Sequence, residues 1–81
     1  MPRQSNNLSA QRTRILAALK AAAGKGITTL EARNDLDIMH PGGRIMELRQ
    51  SGHRILTIWS WEETDSGKHR VARYILVAEP F

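Results

Sequence analysis

TTLEARNDLDIMHPGGRIMELRQSG, residues 28–52, reads as two short helices joined by a tight connection, and the rest of the chain is read outward from it. Thr28 followed three residues later by Glu31 is a capping box, which fixes the start of the first helix. Leu30, Arg33 and Leu36 then recur at spacings of three, with Ala32 small enough for a close helix crossing. Asp37 stands at the C-terminal turn, where a left-handed residue is wanted, and Ile38 is placed to plug the space between the helices. Asp37 to His40 makes a connection slightly looser than the tightest helix-turn-helix turn.

Pro41 suits the first position of the second helix, where its missing N–H costs nothing, and Gly52 suits the position just past its end. At about 100° per residue, Pro41, Ile45 and Leu48 share one face while Gly43, Met46, Glu47 and Gln50 share the opposite one. Arg44 and Arg49 flank the apolar stripe. Two glycines in the first turn weaken the helix, by about 1 kcal/mol each in an interior and less near a terminus. Fraying, or a backbone kept bare for a close partner, would each account for them.

Upstream, MPRQSNN (1–7) has no periodic apolar signal and is expected to be a flexible arm, leaving 8–81 as a single domain. Ser9 can cap a helix over about 9–23, in which Ile15, Leu16, Leu19, Ala22 and Ala23 recur at helical period, with Leu8 as a staple. Gly24-Lys25-Gly26 is the expected stop. Ile27 suits a very short strand.

Downstream, the period changes. HRILTIWSWEE (53–63) and KHRVARYILV (68–77) are β-branched and aromatic, and Thr64-Asp65-Ser66-Gly67 between them is turn chemistry, so a hairpin is expected near 54–62 and 68–77. Both faces of each strand hold apolar groups, so the sequence leaves open which face meets the helices. Core packing is the favoured reading for Trp59 and Trp61, with an exposed dimer or protein-binding patch as the alternative. Phe81, after Pro80, is expected to tuck onto the sheet.

Eighty-one residues allow one domain with a modest core. There are no cysteines, hence no disulfide framework and no thiolate metal site. The three histidines, His40, His53 and His69, lack companion ligands at metal spacing, so no metal or cofactor is expected. No nucleophile, base and orienting acid assemble, and catalysis is not expected. No apolar run reaches the ~20 residues of a membrane span and no signal-peptide pattern opens the chain, which together suggest a cytoplasmic protein.

The net charge of +4 and pI of about 10.4 point toward polyanions. Residues 1–25 carry Arg3, Arg12, Arg14, Lys20 and Lys25 with no acid, and 38–54 carry Arg44, Arg49 and Arg54 against Glu47. Nucleic acid is the natural partner for that distribution, and a solvated basic face is its bland alternative.

The order helix, short strand, helix, helix, strand, strand is that of an α+β winged helix-turn-helix fold, with three helices and a C-terminal β-hairpin wing. The residues themselves go further: ITTLEARNDLDIMHPGGRIMELRQSGHRI (27–55) followed by GKHRVARYIL (67–76) resembles a family of small winged helix-turn-helix proteins found largely in phages, prophages and their bacterial hosts. The likeness covers roughly residues 11–76. It implies a DNA-binding fold and regulation of mobile-element genes in a bacterial cytoplasm or nucleoid. Two departures stand out: Asp37 where the family pattern has Gly, and Gly42-Gly43 where it has Ala-Ala.

On this reading the second helix enters the major groove, with Arg44, Glu47 and Gln50 at base edges and Met46 available to a thymine methyl. His40 at its start and Gly43 on its open side belong to the same surface. Arg49 could instead pack beside Leu48, and Glu47 could pair with Arg44. Thr28 and Thr29, at a helix N-terminus, could hold a phosphate, with capping as the plainer role of Thr28. Lys68, His69 and Arg70 near the hairpin tip are placed to grip the backbone or a minor groove. Two other readings stay open: a protein-interaction module acting through the hairpin or its Trp-bearing strand, and single-strand or RNA binding, which needs exposed aromatics. Homodimerisation is also left open, although no dimer helix is visible.

Overall fold

The computed structural model describes residues 6–77. Helix α1 runs Leu8–Ala22 and passes through a 3-10 turn at Ala23–Lys25 into strand β1, Ile27–Thr28; α2 (Thr29–Asp35), α3 (Pro41–Gln50), β2 (Ile55–Thr64) and β3 (Gly67–Leu76) follow. The three strands form one antiparallel sheet in the order β1-β3-β2. This is the winged helix-turn-helix α+β fold expected from the element order. Residues 1–5 of the expected arm, and Pro80 and Phe81, lie outside the described residues.

Asn7, rather than Ser9, caps α1: its side-chain oxygen accepts from the Ala10 N–H at 2.8 Å. Asn is at least as good a cap as Ser, and capping two residues earlier moves the start of the helix to Leu8. Leu8 is therefore the first helical residue and half exposed, not a staple. Asn6 belongs to the fold as well, its amide donating to the Asp37 carbonyl at 3.2 Å and its side-chain oxygen accepting from Arg14.

The 23–26 turn is closed by Gly26, as expected, together with Ala23 in place of Gly24. Ala23 (φ 52°, ψ −130°) and Gly26 (φ 71°, ψ −174°) hold the positive-φ positions, whereas Gly24 does not. Ala23 thus sits where L-residues are strained by about 1–3 kcal/mol. Ala23→Gly is expected to stabilise the domain by about 1 kcal/mol after the added freedom of the unfolded chain is deducted. The thermal midpoint should rise by about 5 °C, and an unchanged or lower midpoint would refute the strain.

The capping box at α2 is complete: Thr28 Oγ1 accepts from the Glu31 N–H at 3.1 Å and Glu31 Oε1 from the Thr28 N–H at 2.8 Å. That amide is the main reason the Glu31 carboxyl titrates below its ordinary range. Asp37 takes φ 55°, the left-handed conformation wanted at that turn, and Ile38 behind it is fully buried. Helix α3 ends in a Schellman motif, with His53 N–H bonded to Leu48 O and Gly52 N–H to Arg49 O, both at 3.0 Å.

Ile15 and Leu19 of α1, Ala32 of α2, Ile38, Ile45 and Leu48 of α3, Ile55, Ala72 and Tyr74 make one core. This settles the sheet face. Ile55 pairs with Leu76, Thr57 with Tyr74, Trp59 with Ala72 and Trp61 with Arg70, and this is the side that meets the helices. A ten-residue strand spans about 33 Å, however, and the helices underlie only its root. Trp59 and Trp61 lie past the end of that layer, 56% and 68% exposed, so the expectation that they pack in the core does not hold.

Candidate nucleic-acid interface

Helix α3 rests on the core through Pro41, Ile45 and Leu48 alone, which leaves its opposite side open. Met46 is 61% exposed there, Gln50 is exposed, and Gly43, half-buried about one turn before Met46, carries no side chain. Neither glycine is demanded by the fold: a Cβ at Gly43 would meet nothing, and one at Gly42 would make ordinary contact with the Tyr74 hydroxyl at 3.7 Å. Nor is the first turn open, since Gly43 N–H bonds to His40 O at 3.2 Å. His40 and Met39 are exposed at the entry to the helix.

The arginines flanking this face do not point outward. Arg44 grips Glu47 with Nε on Oε1 at 2.9 Å and a second guanidinium nitrogen on Oε2 at 3.0 Å, while its third reaches Gln11 of α1 at 3.3 Å. Its side chain is only 11% exposed. Arg12 of α1 joins the same carboxylate at 2.9 Å. The hydrogen bonds from Arg12 and then Arg44 hold the Glu47 carboxyl below the usual carboxylate range. Arg44 and Glu47 therefore form a seam between α3 and α1, with the outward face beside it. The i,i+3 spacing gives Arg44 a partner on its own helix, and the α1 side of the stripe supplies the rest.

On the other flank, Arg49 Nε and Nη2 donate to the Ile55 carbonyl at 3.0 and 2.6 Å, and Nη2 to Thr57 Oγ1 at 2.8 Å. It ties the end of α3 to the root of β2. Arg33 Nε donates to Met39 O at 3.1 Å and Arg14 Nε to Leu36 O at 2.6 Å, so two more basic residues hold the turn between α2 and α3.

Thr28 is 1% exposed, and its hydroxyl and amide are both engaged within the capping box, so the anion-holding role has no free group at that residue. Thr29 is half-buried and its hydroxyl donates to Ala72 O at 3.3 Å. Both threonines join α2 to its surroundings. At the wing tip Lys68, His69 and Arg70 are all exposed. His69 Nε2 lies 3.0 Å from Ser66 Oγ, and the Arg70 guanidinium sits 4.6 Å from the centroid of the Trp59 ring. Arg73, one turn of the pleat lower, contacts Glu62 at 3.6 Å and donates to Lys25 O at 2.9 Å.

Sequence reasoning missed Arg12 and Met39 as members of this surface. Arg12 carries no local signal, because its partner is 35 residues away. Met39 stood unassigned in the turn.

An outward helix behind a second helix, followed by a protruding basic-tipped hairpin, defines a DNA-binding module of the winged helix-turn-helix class, a kind that typically carries no catalysis. The profile of the winged helix-turn-helix domain family matches residues 10–79, and the chain belongs to that family. No curated protein and no solved structure matches significantly.

Proposed function

We propose that this protein binds double-stranded DNA in a sequence-specific manner, as a small transcriptional regulator or recombination accessory factor of the phage or prophage type. The observation that carries the reading is the open side of α3, opposite Pro41, Ile45 and Leu48, where Met46 and Gln50 are exposed and a Cβ at Gly43 would meet nothing. Gln50 is suited to an adenine edge and Met46 to a thymine methyl. Lys68, His69 and Arg70 supply phosphate contacts from the wing, and Arg12 and Arg44 supply them when Glu47 releases them. His40 and Gly43 line the approach. The site of action on this reading is the cytoplasm of a bacterial host, at its nucleoid.

Selection from random duplexes followed by salt-titrated binding tests it. Gln50→Ala should erase the preference for the selected site over a scrambled one at unchanged salt slope. Lys68→Ala and Arg70→Ala should each flatten the slope by about 1 and weaken both duplexes alike. Absence of duplex affinity at low salt would overturn the reading. The exposure of Trp59 and Trp61 favours a second one, a protein-interaction module, under which Trp59→Ala abolishes partner binding and Gln50→Ala does nothing.

A further inference from the structure

Strand β2 is one edge of the sheet; on the other side the two-residue β1 pairs with β3 only at Tyr74 and Arg73. Sheet edges are usually blunted by lysine, proline, a bulge or a covering element. Here residues 55–61, ILTIWSW, carry none of the side-chain devices, and Leu56 and Ile58 are half exposed on one face while Trp59 and Trp61 are exposed on the other.

The direction of the edge groups follows from the ladder. Arg54 O accepts from Val77 N–H at 2.8 Å, so the polar groups of Arg54 face β3. By the alternation of an antiparallel pair, those of Ile55, Thr57, Trp59, Trp61 and Glu63 face away from it. The Ile55 carbonyl does point outward, where Arg49 occupies it. From Thr57 onward the described residues offer these groups no partner.

The sequence of the edge is complementary to itself. The face opposite the helices reads Arg54, Leu56, Ile58, Ser60, Glu62. Laid antiparallel on a second copy and centred on Ile58, it sets Ile58 against Ile58, Leu56 against Ser60, and Arg54 against Glu62 at both ends. On the other face Thr57 meets Trp59, and these two outward residues exchange main-chain hydrogen bonds. Centring on Trp59 instead sets Leu56 against Glu62, and centring on Thr57 sets Arg54 against Ser60. Only the Ile58 register matches the charges.

We propose that two copies of this protein pair through their β2 edges, about a two-fold axis at Ile58, into a continuous six-stranded sheet whose ends are joined by reciprocal Arg54–Glu62 ion pairs, in which Glu62 bridges the other copy's Arg54 and Arg73 of its own chain, 3.6 Å away. The inference does not depend on DNA. In this ladder Ile58 faces itself as a non-hydrogen-bonded pair, with Cα atoms about 4.5 Å apart. That lies within the ~4.4–6.8 Å range of a disulfide.

The full chain, without DNA, is examined by sedimentation over a concentration series and by cross-linking. Wild type should show a reversible monomer–dimer equilibrium, and Ile58→Lys should be monomeric with an unchanged circular dichroism spectrum. Arg54→Glu and Glu62→Arg should each weaken the dimer about tenfold, the scale of two like-charge pairs across a ladder, and combining them should restore it. Because the chain has no cysteine, Ile58→Cys should give a disulfide-linked dimer under mild oxidation, and Ser66→Cys at the hairpin turn should not. The proposal is overturned by a wild type that stays monomeric, by a dimer that survives Ile58→Lys, by a double charge swap no tighter than the single ones, or by Ile58→Cys that fails to cross-link.

Discussion

Gly26→Ala should cost this domain about 3–5 kcal/mol, a large share of the stability available to a chain of this size. Two independent effects add. The residue sits at φ 71° and ψ −174°, a region essentially reserved for glycine. A Cβ there would also lie 2.5 Å from the Tyr74 carbonyl oxygen and 2.7 Å from Ile75 Cγ1. The carbonyl is main chain of the central strand, so it can yield only if β1 loses its pairing with β3 at Ile27 and Tyr74. Tyr74 is itself a core residue. Urea titration should show a midpoint near zero denaturant or a chain unfolded at 25 °C. Gly24→Ala is the control: its Cβ meets nothing and its φ is not positive, so its midpoint should stay close to wild type. Equal midpoints for the two variants would remove the argument.

Glu47→Gln should tighten duplex binding about tenfold near 0.1 M salt and steepen the salt dependence by about one to two phosphate contacts. In the wild type a single carboxylate holds both Arg12 and Arg44, each at 2.9 Å, so two guanidinium groups present the field of one charge. Gln keeps the size and one acceptor but removes the neutralising charge. Arg44 is only 11% exposed in this seam, so loss of its charged partner should lower the melting temperature, and binding is compared at a temperature where both proteins are folded. The opposite outcome is equally readable. Were Glu47 to accept from a cytosine amino group, the substitution would abolish the preference at one base pair and leave the salt slope where it was. Filter binding or fluorescence anisotropy over a salt series on selected and scrambled duplexes separates the two.

The elements were legible because their signals are local. Thr28 with Glu31, Pro41 and Gly52 each announce a boundary within four residues, and each boundary lies where that chemistry put it; the turn expected over 64–67 is tighter, because Thr64 and Gly67 pair as the last rung of the ladder. Ile45 and Leu48 were legible as the buried stripe of α3 for the same reason. The side chains of the interface were not, because their roles depend on what another element brings alongside. Arg44 and Glu47 occupy the surface anticipated for base contact, yet α1 supplies Gln11 and Arg12 and turns the pair sideways. Arg49 could not be assigned without knowing that the Ile55 carbonyl faces outward at the sheet edge. The alternation Ile55, Thr57, Trp59, Trp61 is uniform in sequence, but burial along it ends where the helical layer ends. Strand length measured against helix length, not hydropathy, set that limit. The Gly-Gly pair was legible as weak helix; that neither residue is needed by the backbone could be seen only from the empty space around them.

Arg49 has a mechanical consequence. Its three hydrogen bonds run from the last turn of α3 to the first residues of β2, so the helix and the root of the hairpin are clamped into one lever. A probe and an outrigger held at fixed spacing work as calipers. If both touch the same duplex, the protein gauges the width of the groove between them, and a duplex of the right bases but the wrong shape would be refused.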